Sequence, residues 1–135
     1  MSYPEITMSN ETIHNPKEPR HFMRAKIVPR TVRVHRGGKV IAESDNVLRV
    51  TELAKDMLDP VLYFPKEDIS VPLLPIEGKT SHCPLKGDAS YFTVDDNGEA
   101  IAWAYEAAFD FAEVINGRIA FYPDHVVVEE VGTSS

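Results

Sequence analysis

The chain has one cysteine and one tryptophan in 135 residues, no apolar run of bilayer length, and fewer basic than acidic side chains. A lone cysteine cannot close an intramolecular disulfide. A membrane span needs roughly 20 consecutive apolar residues, so no membrane insertion is expected. Fourteen Lys+Arg against 21 Asp+Glu give a formal net charge of −7. That balance excludes a general nucleic-acid or anionic-membrane binder, because such partners need a basic footprint to release counterions; a local basic pocket stays open. The N-terminus lacks the basic and continuous apolar regions of a secretory leader, and the expected compartment is the cytoplasm.

What is present fits one small β-rich domain. The length suits a single core, and ten prolines with seven glycines favour many turns over long helices. Residues 1–28 carry Pro4, Pro16 and Pro19 with no sustained period and read as an N-terminal arm, partly ordered. Its Arg20-His21-Phe22-Met23-Arg24 piece mixes cations with an aromatic and could clamp an anion or cover a partner subunit. Residues 29–131 read as the domain and 132–135 as a loose tail.

Thr31–His35 and Val40–Glu43 flank Gly37-Gly38, the most secure hairpin. Val47–Leu53 fits a short strand or a helical turn, with strand preferred. Pro60 and Pro65 bracket Val61–Phe64 and suggest an edge strand, followed by a helical turn at Pro65–Ile69. Val71–Gly78 reads as an extended connector. Asp95-Asp96-Asn97-Gly98 marks a second hairpin between 89–94 and 99–105. Asp110 as N-cap, Glu113 as its capping-box partner and Gly117 as stop predict a short helix. Arg118–Tyr122 and His125–Glu129 are expected to pair across Pro123-Asp124. The fold class is therefore mainly β, a small bent two-sheet or partly open barrel of six to eight short strands with one short helix.

Chemistry-bearing residues crowd into Lys79–Phe92. Cys83 sits with His82 beside it and Lys86 three residues on, and a cation near a thiol favours the nucleophilic thiolate. Taken alone, Cys83 is better read as a small buried apolar residue ahead of a turn. Lys86 with Trp103 makes a stronger case for binding, since an aromatic platform beside a cation holds planar or anionic ligands. Tyr63, Tyr91 and Tyr105 could line the same pocket, or all four aromatics could be packing. Glu52 and Asp68 are candidate acid or base groups, although isolated carboxylates near turns are usually solvated. Arg33 is expected on a solvent face, and His125 beside Asp124 lacks a spaced partner.

Thr80-x-x-Cys83-Pro84-x-Lys86-Gly87-x-Ala89-x-Tyr91, then Ala102-Trp103-x-Tyr105 and Asn116-Gly117-x-Ile119-Ala120-Phe121-Tyr122, resemble the bacterial and fungal family called domain of unknown function 427. Gly38-x-Val40-Ile41-Ala42-Glu43-Ser44 and Tyr63-Phe64-Pro65-x-x-Asp68-Ile69 fit it as well, so the resemblance spans roughly 31–128. It implies a β-tent-like fold. Zinc-containing β-tent proteins hold the metal through two Cys-x-x-Cys pairs, which one cysteine cannot supply, so no metal and no cofactor are expected. Glu106-Ala107-Ala108 departs from the pattern, where relatives are expected to carry a proline.

The family is sometimes catalogued as nucleotidyltransferase-like. That chemistry needs two carboxylates alternating on a strand about a dozen residues after a Gly-Gly turn. None follow Gly37-Gly38 at that spacing, and Asp95-Asp96 is adjacent and in a turn. Gly78-Lys79-Thr80 copies only the end of a P-loop, with Leu73 where its first glycine belongs. The leading expectation is binding of a small planar or anionic ligand by the Cys83–Gly87 turn and aromatic strands. The alternatives are a cysteine-dependent enzyme or redox-sensitive protein, and a module that homodimerises through the edge strand ending at Phe64.

Overall fold

A computed structural model describes residues 12–94 and 98–131. Eleven strands form two open antiparallel sheets. In chain order they are β1 (Ile13–Asn15), β2 (Glu18–Ile27), β3 (Thr31–Arg36), β4 (Lys39–Ser44), β5 (Leu48–Leu53), β6 (Val61–Phe64), β7 (Leu74–Cys83), β8 (Gly87–Thr93), β9 (Ala102–Ala104), β10 (Ile119–Phe121) and β11 (Val127–Val131). The larger sheet runs β1-β2-β5-β6-β10-β9-β8-β7 and the smaller β11-β3-β4. The mainly β, two-sheet architecture is as expected, with more strands than the six to eight read from sequence.

The β3–β4 hairpin follows from its alternation. Val32 and Val34 point inward, Gly37 and Gly38 take φ of 58° and 77° in the turn, and Arg33 lies outside, paired with Glu43 at 2.5 Å and Glu129 at 3.1 Å. Residues 66–68 make the expected helical turn.

Four local expectations change. Residues 13–27 of the arm form β1 and β2, and β2 pairs with β5 from Phe22–Leu53 to Ile27–Leu48. The connector from residue 74 onward is paired as β7, with an irregularity between Pro75 and Thr80 where the register shifts. β6 is central rather than an edge: its four paired residues fit between Pro60 and Pro65, so neither proline has to donate to the ladder, and β5 and β10 flank it. That strand therefore has no free edge among the described residues. Finally, β10 and β11 do not pair with each other; β10 joins β6 and β9, while β11 crosses to β3 in the other sheet.

The helix at Asp110–Ile115 is a kinked 3-10 segment. Phe109, not Asp110, occupies its N-cap position, with no side-chain cap, whereas Gly117 at φ 73° supplies the expected stop. The turn Asp95-Asp96-Asn97 lies outside the described residues, although β8 and β9 on either side pair as a hairpin would.

Successive strand residues face opposite sides, and the larger sheet therefore bounds two interiors. One face meets the smaller sheet in an apolar core containing Val32, Val34, Phe64, Ile101 and Phe121. The other carries Met23, Val50, Tyr63 and Ala120 and is covered by Leu85, Tyr105, Ala112 and Ile115.

Candidate functional site

The Pro84–Lys86 turn joins β7 to β8, with Cys83 paired to Gly87 at its base. The Lys86 amide donates to the Cys83 carbonyl at 3.2 Å, and the Phe109 amide donates to the Lys86 carbonyl at 3.0 Å. Gly87 has φ 116°, and a Cβ there would stand 3.3 Å from the Ala107 carbonyl oxygen, so the turn is pinned under the 107–109 backbone only with glycine. This anchoring leaves Lys86 just 6% exposed.

Lys86 meets a carboxylate from across the sheet. Glu52 continues the inward row of Leu48 and Val50 on β5, and its Oε1 accepts from Lys86 Nζ. His21 belongs to the inward row of β2 with Met23; its Nε2 lies 2.6 Å from Glu52 Oε2. Cys83 completes the group: one ligand-type atom from each of His21, Glu52 and Cys83 lies within 4.8 Å of the others. The Lys86 ammonium also stands 5.8 Å from the Tyr105 ring centroid.

Burial by itself raises the Glu52 carboxyl pKa, but hydrogen bonds from His21 and Lys86 and their charge outweigh it and hold the group below its ordinary value. Glu52 is thus ionised at neutral pH inside a core. Burial pushes the Tyr63 and Tyr105 hydroxyls up, keeping both neutral, and the Trp103 indole N–H partly offsets this at Tyr63 by donating to its oxygen.

Of the residues singled out from sequence, Glu52, Cys83, Lys86, Tyr63 and Tyr105 come together here. Trp103 and Tyr91 border the same interior, but their faces are occupied. The Trp103 ring lies 4.6 Å from that of Tyr122, and Tyr91 bonds Ser81 Oγ at 2.7 Å with Lys79 Nζ 4.9 Å from its ring centroid. Both residues stay partly exposed.

His82 stands apart, exposed and paired with Asp88 at 2.8 Å. Asp68 lies elsewhere, accepting from Ser44 Oγ at 2.6 Å beside a 240 Å³ hollow. His125 pairs with Glu99 at 3.3 Å. The residue that sequence reading undervalued is His21; alternation of His21, Met23 and Ala25 against Arg20, Arg24 and Lys26 was the available signal.

A cleft of about 720 Å³ opens over His21, lined by Glu18 and Arg20 from β2 and by Ala54, Lys55, Asp56 and Leu58 after β5. His21 is therefore the exposed end of a buried chain: side-chain exposure falls from 20% at His21 to 10% at Glu52 and 8% at Lys86.

Residues 24–132 match the family model described as domain of unknown function (DUF427). The chain belongs to that family. Within this DUF427 domain lie Glu52, Cys83, Lys86 and Gly87, while His21 falls just before the matched span. No curated protein matches the chain. Nothing in the DUF427 match assigns chemistry, and the polymerase-type features stay unassembled: Gly37-Gly38 is the β3–β4 turn, and Gly78-Lys79-Thr80 lies within β7, which leads to a turn and another strand rather than a helix. Among the described residues no helix is long and apolar enough to cross a membrane.

Proposed function

We propose that this domain binds a small ligand, planar or carrying one anionic group, in the cleft over His21, with the His21–Glu52–Lys86 chain as its recognition centre. The observation that carries the reading is a buried ion pair whose partly exposed neighbour, His21, lines a hollow of about 720 Å³. Taking two charges out of water costs several kcal/mol per ion, on the order of what their attraction returns, so packing alone gives little reason to keep them. Buried titratable clusters beside a cleft are where binding and catalysis concentrate. The rim carries both signs, Arg20 and Lys55 against Glu18 and Asp56, with Arg20 paired to Glu18 at 3.2 Å, and Ala54 and Leu58 supply apolar wall.

On this reading the ligand sits at the β2–β5 end, and the Cys83–Gly87 turn contributes through Lys86, which holds Glu52. A screen of small aromatic carboxylates by amide NMR tests it. Shifts clustering at His21, Ala54, Lys55 and Leu58, and lost in His21→Ala, are expected. Shifts scattered over the surface, or none, would remove the reading.

A second reading is favoured by the position of Cys83. Its thiol shares the cluster with His21 and Glu52, the arrangement of a nucleophile, a base and an orienting carboxylate. Fast alkylation of Cys83 that slows in His21→Gln would support thiol chemistry. Alkylation at the same rate in both proteins would count against it. We place either activity in the cytoplasm, where a lone thiol stays reduced.

A further inference from the structure

We infer that His21, Glu52 and Cys83 form a site for one divalent transition-metal ion of the zinc type, with a fourth position open toward the cleft. The inference deepens the cleft reading in one respect, since the proposed ligand would occupy that fourth position. It differs from a Cys-x-x-Cys site in drawing one ligand from each of three separate strands, β2, β5 and β7.

The donor set selects the ion. A thiolate with an imidazole and a single carboxylate suits zinc and its neighbours, whereas magnesium and calcium take oxygen ligands. Three protein ligands and one open position are the pattern of zinc sites that act on a ligand. The donor atoms already lie within 4.8 Å of one another. Tetrahedral bonding at zinc distances needs separations of about 3.3–3.7 Å. Side-chain rotation supplies the difference: the 2.6 Å His21–Glu52 contact opens to admit the ion, and the thiol moves in.

Lys86 fits this scheme as well. It holds Glu52 through Oε1 and leaves Oε2, the oxygen now facing His21, for the metal. Metal binding displaces the Cys83 proton to solvent. The ion, Lys86, the Glu52 carboxylate and the Cys83 thiolate then leave one net positive charge, which an anionic fourth ligand neutralises. Entry is through the cleft, because His21 lines it.

The test uses the full chain, stripped with a chelator and titrated with Co²⁺ alone. The expected result is one equivalent bound, with a thiolate-to-cobalt charge-transfer band that Zn²⁺ removes. Cys83→Ser should lose that band. His21→Gln, at a partly exposed side chain that can change without opening the core, should weaken Co²⁺ binding beyond the roughly 10- to 100-fold typical of a metal site's outer hydrogen-bond partners. His82→Gln, on the outer face of the same hairpin, should leave affinity unchanged. Absence of the band in the wild type, or unchanged affinity in His21→Gln, overturns the site. The carboxylate screen is run on metal-free and on Zn²⁺-loaded protein: failure in both removes the cleft reading, and failure of the cobalt titration alone removes the metal.

Discussion

Phe64 and Tyr63 are neighbours on β6, each 1% exposed, and they point into different interiors. On the Phe64 side the buried cluster is apolar, with Ser44 at its edge donating to Asp68, and Phe64 meets Phe121 edge-on at 5.7 Å between centroids. On the Tyr63 side the same strands enclose an ion pair, a thiol and two hydroxyls held neutral. One interior is held chiefly by the removal of apolar surface from water. The other adds a buried ion pair and a thiol to its apolar side chains.

The strongest way to break this contrast is to remove one group from each interior. Phe64→Ala should cost about 3–5 kcal/mol through lost burial and the cavity left behind. Lys86→Ala should cost a similar amount, about 3–5 kcal/mol, for a different reason: Glu52 would remain buried without its cation. Urea denaturation measures both. Restoring apolar volume with Phe64→Leu should recover much of the first loss, whereas Lys86→Met should recover little of the second.

Gly87→Ala tests the anchoring of the polar side. Its φ of 116° and the nearby Ala107 carbonyl predict a loss of about 1–3 kcal/mol. Gly37→Ala also sits at positive φ, with nothing within 4 Å of its added Cβ, and should cost less.

A pH titration sharpens the contrast further. The folded-state pKa values of Tyr63 and Tyr105 are raised above the unfolded value, so their contribution is complete below about pH 10 and is lost as pH rises beyond it. Stability should fall with alkali, and the fall should be smaller in Tyr105→Phe. A decline of the same size in that variant would contradict the assignment. The smallest effect belongs to the surface: Arg33→Ala, at an exposed network with Glu43 and Glu129, should cost less than any of these changes, and less still in high salt.

Much of this was legible in the sequence where the signals are local. Gly37-Gly38 marked a hairpin, Gly117 a stop, and the Cys83–Gly87 motif a turn. Long-range pairing was not legible. β2 hides its alternation, because its inward row mixes His21 with Met23 and Ala25 and its partner β5 lies across the whole β3–β4 hairpin. Pro60 and Pro65 marked β6 as an edge, yet four residues suffice to pair on both sides. Trp103 and Tyr91 have the composition of a binding platform and are occupied by Tyr122, Ser81 and Lys79. Glu52 was visible only as an isolated carboxylate, since its partners come from residues 31 and 34 positions away.

The most direct measurement of the central claim is the unfolding free energy of the double variant Glu52→Leu/Lys86→Met, together with its response to aromatic carboxylates at the His21 cleft. If the buried pair serves binding, the double variant should be as stable as the wild type or more so, and the amide shifts at Ala54, Lys55 and Leu58 should disappear. A loss of about 3–5 kcal/mol, matching the single variant, would mean that the pair is structural and the claim is wrong.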